Sequence, residues 1–249
     1  GITLLIFWFL FQRSNAFKKI NSIYSWQGII VIIAFAINSV TFTLGIQETS
    51  VMVVLTAVAT MPVFAAIFSI FLMDESQGWG GWATIIFAMV GVVVVVSDGN
   101  NAIGHPDGSS MLGAFYGCIT ASGLALAFTM ARRYKELEVI PAAAIGALVS
   151  GIFGFLLSDN DGIFIAPLWT IITMGVLILP VSFGLISIAP RYTTSAIVSL
   201  VMLLEMVIGP FWVWLAVGEK PSITMIIGAF LVVTVIFFHI IRTQFYLKE

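Results

Sequence analysis

Charge is what this 249-residue sequence has least of: 9% of its residues are Asp, Glu, Lys or Arg, against about 25% in an ordinary soluble domain. Ten basic and twelve acidic residues give a formal net charge of −2. That excludes a nucleic-acid face, because phosphate binding needs clustered Lys and Arg. The single cysteine, Cys118, can form no disulfide within the chain, and alone it gives no metal cluster or redox pair. The two histidines, His105 and His239, belong to no HExxH helix and pair with no nucleophile. No Walker A sequence is present, so ATP does not drive the protein directly. No cofactor and no metal are expected.

What is abundant is apolar: 60% of the residues are hydrophobic, more than a soluble domain can hide. They fall into blocks of about 19 to 25 residues, the length that crosses about 30 Å of hydrocarbon at 1.5 Å per residue. The blocks are Gly28 to Ile46, Val51 to Met73, Trp79 to Val96, Met111 to Ala131, Val139 to Leu157, Ile165 to Ile188, Ala196 to Val217 and Ile223 to Ile241. These eight are expected to span a lipid bilayer. A shorter run, Gly1 to Phe11, reads as the tail of a cut helix. A signal peptide is the rival reading, but no basic segment precedes the run and no small-residue cleavage site follows it.

Loops rich in Lys and Arg stay cytoplasmic. If the spans alternate in direction, Arg13, Lys18, Lys19, Arg132, Arg133, Lys135, Arg191, Arg242 and Lys248 share one side, and only Lys220 falls on the other. The C-terminus is therefore expected in the cytoplasm, and the cell (inner or plasma) membrane is the expected location. The longest polar stretch, Ser97 to Ser110, is rich in Gly, Asn and Asp and reads as an external linker between two halves. With the missing helices restored, five would precede it and five follow, so the halves would be inverted relative to each other. The expected architecture is therefore an all-α, polytopic transmembrane bundle. Residues 1–98 form an incomplete first repeat, 99–110 the linker and 111–249 the second repeat. Aligning Thr49 to Glu75 with Thr193 to Glu219 matches Thr49 with Thr193, Val54 with Val198, Val63 with Val207 and Glu75 with Glu219.

Three stretches carry a resemblance to a known family. TSVMVVLTAVATMPVFAAIFSIFLMDE, with Pro62 inside the helix and Glu75 at its end, resembles the first EamA repeat of the drug/metabolite transporter superfamily. APRYTTSAIVSLVMLLEMVIGPFWVWLAVGEKPS, with mid-helix Glu205 and terminal Gly218 and Glu219, resembles the second repeat. MLGAFYGCITASGLALAFTMARR looks like the helix that opens the second half. The resemblance implies ten helices, of which the first and part of the second are missing here, and transport of small organic molecules. The second repeat has Met206 where the first has Pro62, and its own Pro210 comes four residues later.

Glu205 is the sharpest functional signal. It stands in the middle of Ala196 to Val217, too deep to reach either surface, where a charged residue costs about 2.5 to 3.5 kcal/mol on insertion scales. Hydrocarbon disfavours the carboxylate form, so the side chain can take up and release a proton as its surroundings change. A proton-coupling group and a protonated hydrogen-bonding link between helices are the two readings. Asn38, central in its span with Thr41 one turn on, offers four hydrogen-bonding positions to a substrate or to a neighbouring helix. Tyr116 and Thr120, one turn apart, are further pocket candidates. So is Trp212, which lies two turns beyond Glu205 with Gly209 between them; an interfacial aromatic belt is its alternative. Pro62 and Gly209 suit structural roles, as do Glu75 and Glu219, which suit the N-terminal dipole of the helix that follows each.

The expected function is a secondary active transporter, a proton-coupled exporter of small organic metabolites or drugs working by alternating access, whose partners are a small-molecule substrate, protons and the lipid bilayer, with a homodimer left open. A passive facilitator is the alternative, needing no buried titratable group. An intramembrane enzyme would need paired catalytic groups, whereas the spans hold one central acid. The charge asymmetry makes the topology testable: cysteines introduced at Ser109 and at Lys135 should label oppositely with an impermeant thiol reagent in intact cells. Equal labelling would overturn the assignment.

Overall fold

The computed structural model describes residues 1–12, 23–74, 79–98, 109–157, 167–192, 212, 214–216, 218 and 221–246. Every regular element among them is helical, as hydrocarbon demands of a chain that must satisfy its own backbone. In order these are α1 (Ile2–Gln12), α2 (Trp26–Glu48), α3 (Val51–Val58), α4 (Met61–Met73), α5 (Trp79–Asp98), α6 (Ser110–Arg133), α7 (Val139–Leu157) and α8 (Leu168–Ile172). A π-helical stretch (Thr173–Ile178), α9 (Leu179–Tyr192) and α10 (Ile223–Tyr246) follow. Five stretches of the described chain are long and apolar enough to cross a membrane: Trp26–Glu48, Val53–Met73, Ser110–Arg133, Val139–Leu156 and Leu168–Ile186. Trp79–Gly91 and Ile223–Val235 are shorter apolar stretches. Most of the expected span Ala196 to Val217 lies outside the described residues.

Two expected spans depart from a plain α-helix, and a proline explains each. The sequence suggests one helix from Val51 to Met73 with Pro62 inside it. The structure instead breaks the helix at Ala59 and Thr60, which puts Pro62 in the first turn of α4. There its missing N–H leaves no helical carbonyl unpaired. The Thr60 hydroxyl donates to the Ala57 carbonyl at 2.6 Å, covering an acceptor at the end of α3. In the later span, Pro180 has no N–H for the carbonyl four residues back. The helix winds as π just before it, a local adjustment that reroutes backbone bonds in hydrocarbon. The Thr3 hydroxyl donates to Gly175 O in that stretch at 3.0 Å.

The chain forms two compact units, residues 1–40 with 130–193 and residues 41–129 with 194–249. Each takes chain from both sides of the polar linker. In the first unit α1 runs antiparallel to α7: Gly1 abuts Ala144 and Leu148, while Trp8 meets Glu138. Small residues let α7 approach α2, and a Cβ on Gly146 would stand 2.7 Å from Phe35 Cβ and 2.8 Å from Ile32 O. Without a hydrophobic force between helices in lipid, such close backbone contact supplies the packing. Ile152, Phe153, Phe155, Leu156, Leu168 and Trp169 are exposed, as side chains facing lipid would be.

In the second unit α5 runs antiparallel to α10. Gly91 faces Val232 and the Gly228 carbonyl, and Gly80 lies under the Arg242 guanidinium. Val53, Ala57, Ala114 and Met225 form a buried cluster joining α3, α6 and α10, with Cys118 and Ala229 at its margin. Gly117 of α6 is where α3 comes closest: a Cβ there would lie 2.6 Å from Ala57 Cβ and 2.9 Å from Val54 O. Gly117→Ala should therefore lower stability in detergent by about 1 to 3 kcal/mol through overpacking. Gly151→Ala meets nothing within 4 Å and should be neutral or stabilising by up to about 1 kcal/mol. Thermal unfolding of both variants checks the contrast, and equal midpoints would contradict the packing.

Candidate functional site

The site is built where α2 and α6 approach in the second unit. A Cβ on Gly45 would lie 3.2 Å from Val54 and 3.4 Å from Gly113 O, and one on Gly113 would collide with Thr49. Because neither position carries a side chain, the two backbones draw close in antiparallel register. Hydroxyls on either side of the contact then meet. Thr41 Oγ1 and Thr120 Oγ1 are 2.7 Å apart, with either able to donate, and Thr49 Oγ1 donates to Ser110 Oγ at 3.2 Å. All four residues are buried.

Of the residues singled out from sequence, the structure thus brings Thr41 and Thr120 into direct contact. Thr120 is 1% exposed, so its hydroxyl relies on protein partners. Asn38, one turn before Thr41 on α2, is also buried. Tyr116, one turn before Thr120, is half-buried. Trp212 is exposed. Glu75, Glu205, Gly209 and Glu219 lie outside the described residues. Chemically, a hydroxyl can both donate and accept, so the contact sets groups of either hydrogen-bonding sense between apolar helices.

Two features were not singled out from sequence. The first is the group formed by Thr49, Ser50 and Ser110, whose only local sign is the Thr-Ser pair opening the span. The second is Glu138, 5% exposed, which accepts from Trp8 Nε1 at 3.4 Å. A carboxylate just ahead of α7 is favoured there by the helix dipole, and that position was legible. Its burial depends on a tryptophan 130 residues away in sequence. Among the described residues no three His, Cys, Asp or Glu side chains gather in a metal-binding group.

Thr41→Val keeps shape but removes a partner of the buried Thr120 hydroxyl. We expect it to cost about 1 to 3 kcal/mol, the penalty for stranding such a group. Adding Thr120→Val should recover most of that loss, a coupling that denaturation of the two single variants and the double variant would measure. Additive losses would show that the hydroxyls do not depend on each other.

No curated protein matches the chain. It does match the EamA-like transporter family, over residues 1–97 and 111–241, the stretches on either side of the polar linker. Helices long enough to span, a lipid-suited surface and this match over most of the sequence agree. The chain belongs to the EamA-like transporter family and is a multi-pass membrane transporter of small molecules of the drug/metabolite type.

Proposed function

We propose that this transporter is a proton-coupled exporter that moves small organic metabolites or drugs out across the cell membrane by alternating access. The contact between Thr41 and Thr120 carries the substrate part of the reading. It sets paired hydroxyls inside apolar helices, where a solute losing water needs replacement partners. Asn38, Tyr116 and Trp212 are the further substrate-binding residues of this reading, a polar side chain one turn before Thr41 in sequence and two aromatic ones suited to an organic solute. Two inverted repeats, residues 1–98 and 111–249, supply the halves that rock about the site, with the C-terminus in the cytoplasm. Pro62, Glu75, Gly209 and Glu219 shape and terminate the helices of those repeats.

Coupling falls to Glu205. Its sequence neighbours one turn away are Val201, Met202, Ile208 and Gly209, none of which carries charge. A carboxylate that changes protonation between inward- and outward-facing states lets a proton gradient bias their populations. A fixed amide does not.

Everted vesicles offered a mixed metabolite panel, with and without an imposed proton gradient and read by mass spectrometry, should accumulate a subset of solutes only with the gradient. Glu205→Gln should reach the membrane, lose gradient-driven accumulation and retain substrate exchange. Full gradient-driven transport by that variant would refute the coupling role. Accumulation that ignores the gradient in the unaltered protein would instead indicate a facilitator.

A further inference from the structure

We infer that the buried hydroxyls at the turn between α2 and α3 form a subsite for the carboxylate group of the transported solute. This deepens the transport reading above and rests on it. The turn is Thr49 and Ser50. Ser50 is the N-cap of α3, with φ −62° and ψ 145°, yet its side chain makes no capping bond. It is 7% exposed, and its Oγ is a buried polar atom with no hydrogen-bond partner among the described residues. A buried hydroxyl without a partner is costly, and native structures keep such groups for a reason.

The polar groups bonded at the same turn indicate which partner is missing. Ser110, the first residue of α6 and 3% exposed, accepts from Thr49, so its own proton is left to give. The backbone bonds at the start of α3 begin at Val53 and Val54, both donating to the Ser50 carbonyl. The N–H groups of Val51 and Met52, like those opening any helix, precede the intrahelical ladder. The Ser50 and Ser110 hydroxyls and the first N–H groups of α3 thus have protons to give, at the positive ends of two helix dipoles. The C-terminal end of α2 also reaches this turn, but its Gly45 carbonyl is already taken by the Thr49 N–H at 3.1 Å. A hydrogen-bond acceptor carrying negative charge answers this arrangement.

The chemistry narrows the acceptor further. A phosphate dianion is held through Arg or Lys, and neither Gln47 to Ser50 nor Ser97 to Ser110 contains one. A carboxylate carries a single charge and two oxygens, each able to accept from the Ser50 hydroxyl or from a backbone N–H opening α3. Holding it by hydroxyls and N–H groups rather than an ion pair keeps binding weak enough for release, as transport requires.

The test uses the full chain purified in detergent, with sodium acetate as the probe and thermal unfolding as the readout, against sodium chloride and choline acetate at matched ionic strength. Acetate should raise the midpoint saturably with either cation. Ser50→Ala should melt at or above the unaltered chain without acetate, since it removes an orphan hydroxyl, and its apparent acetate affinity should fall at least tenfold. Ser50→Thr, which restores a hydroxyl, should recover the response. The inference is overturned by a response that survives in Ser50→Ala, by one that follows sodium, by one that chloride reproduces (an adventitious ion only), or by none at all. In proteoliposomes, carboxylate solutes should compete for uptake in the unaltered chain and lose that advantage in Ser50→Ala. If no solute is transported by the unaltered chain, the transport reading fails, while the acetate response still decides whether the subsite exists.

Discussion

Hydrocarbon supplies no hydrogen bonds, and the rest of this structure follows from that constraint. A backbone N–H, a carbonyl or a hydroxyl inside the bilayer finds a partner in the protein or goes without. The helices answer it for the backbone. Where a proline removes a donor, the chain answers differently each time. It breaks before Pro62 and covers the Ala57 carbonyl with the Thr60 hydroxyl, and it winds as π ahead of Pro180. Neither adjustment would be needed at the surface of a soluble protein, where water completes the ladder.

Side-chain hydroxyls obey the same constraint, and this links packing to function. Gly45, Gly113 and Gly117 let backbones approach where lipid provides no hydrophobic drive for association. The approach then decides which hydroxyls meet. Thr41 and Thr120 bond each other, and Thr49 donates to Ser110. Ser50 is left over. A transporter has a use for such a group, because an unpaired hydroxyl can bond a solute without first giving up a partner in the protein.

The buried Glu138 shows a second use of polarity. It stands ahead of α7, where the helix dipole favours a carboxylate, and the Trp8 indole closes over it. In the same unit the Thr3 hydroxyl reaches Gly175 in the π stretch. Two side chains of α1 therefore reach polar groups on two different later segments, ordering that unit with directional bonds as well as with small-residue packing.

The sequence by itself determined that the chain is helical and crosses a membrane many times, because block length, hydropathy and helical period are local properties that lipid thickness converts directly into spans. It also carried the family resemblance, and it marked Thr41 and Thr120 as polar residues in apolar surroundings. Only the tertiary structure decided that these two bond each other across 79 residues, that Thr49 bonds Ser110 while the Ser50 hydroxyl has no partner among the described residues, and that Glu138 is closed over by Trp8. The break before Pro62 and the π turn before Pro180 lie between the two kinds of information. A proline announces a defect, but which neighbour absorbs it depends on the packing around it. Choosing a partner depends on how helices far apart in sequence pack, and no period or composition within one helix encodes that.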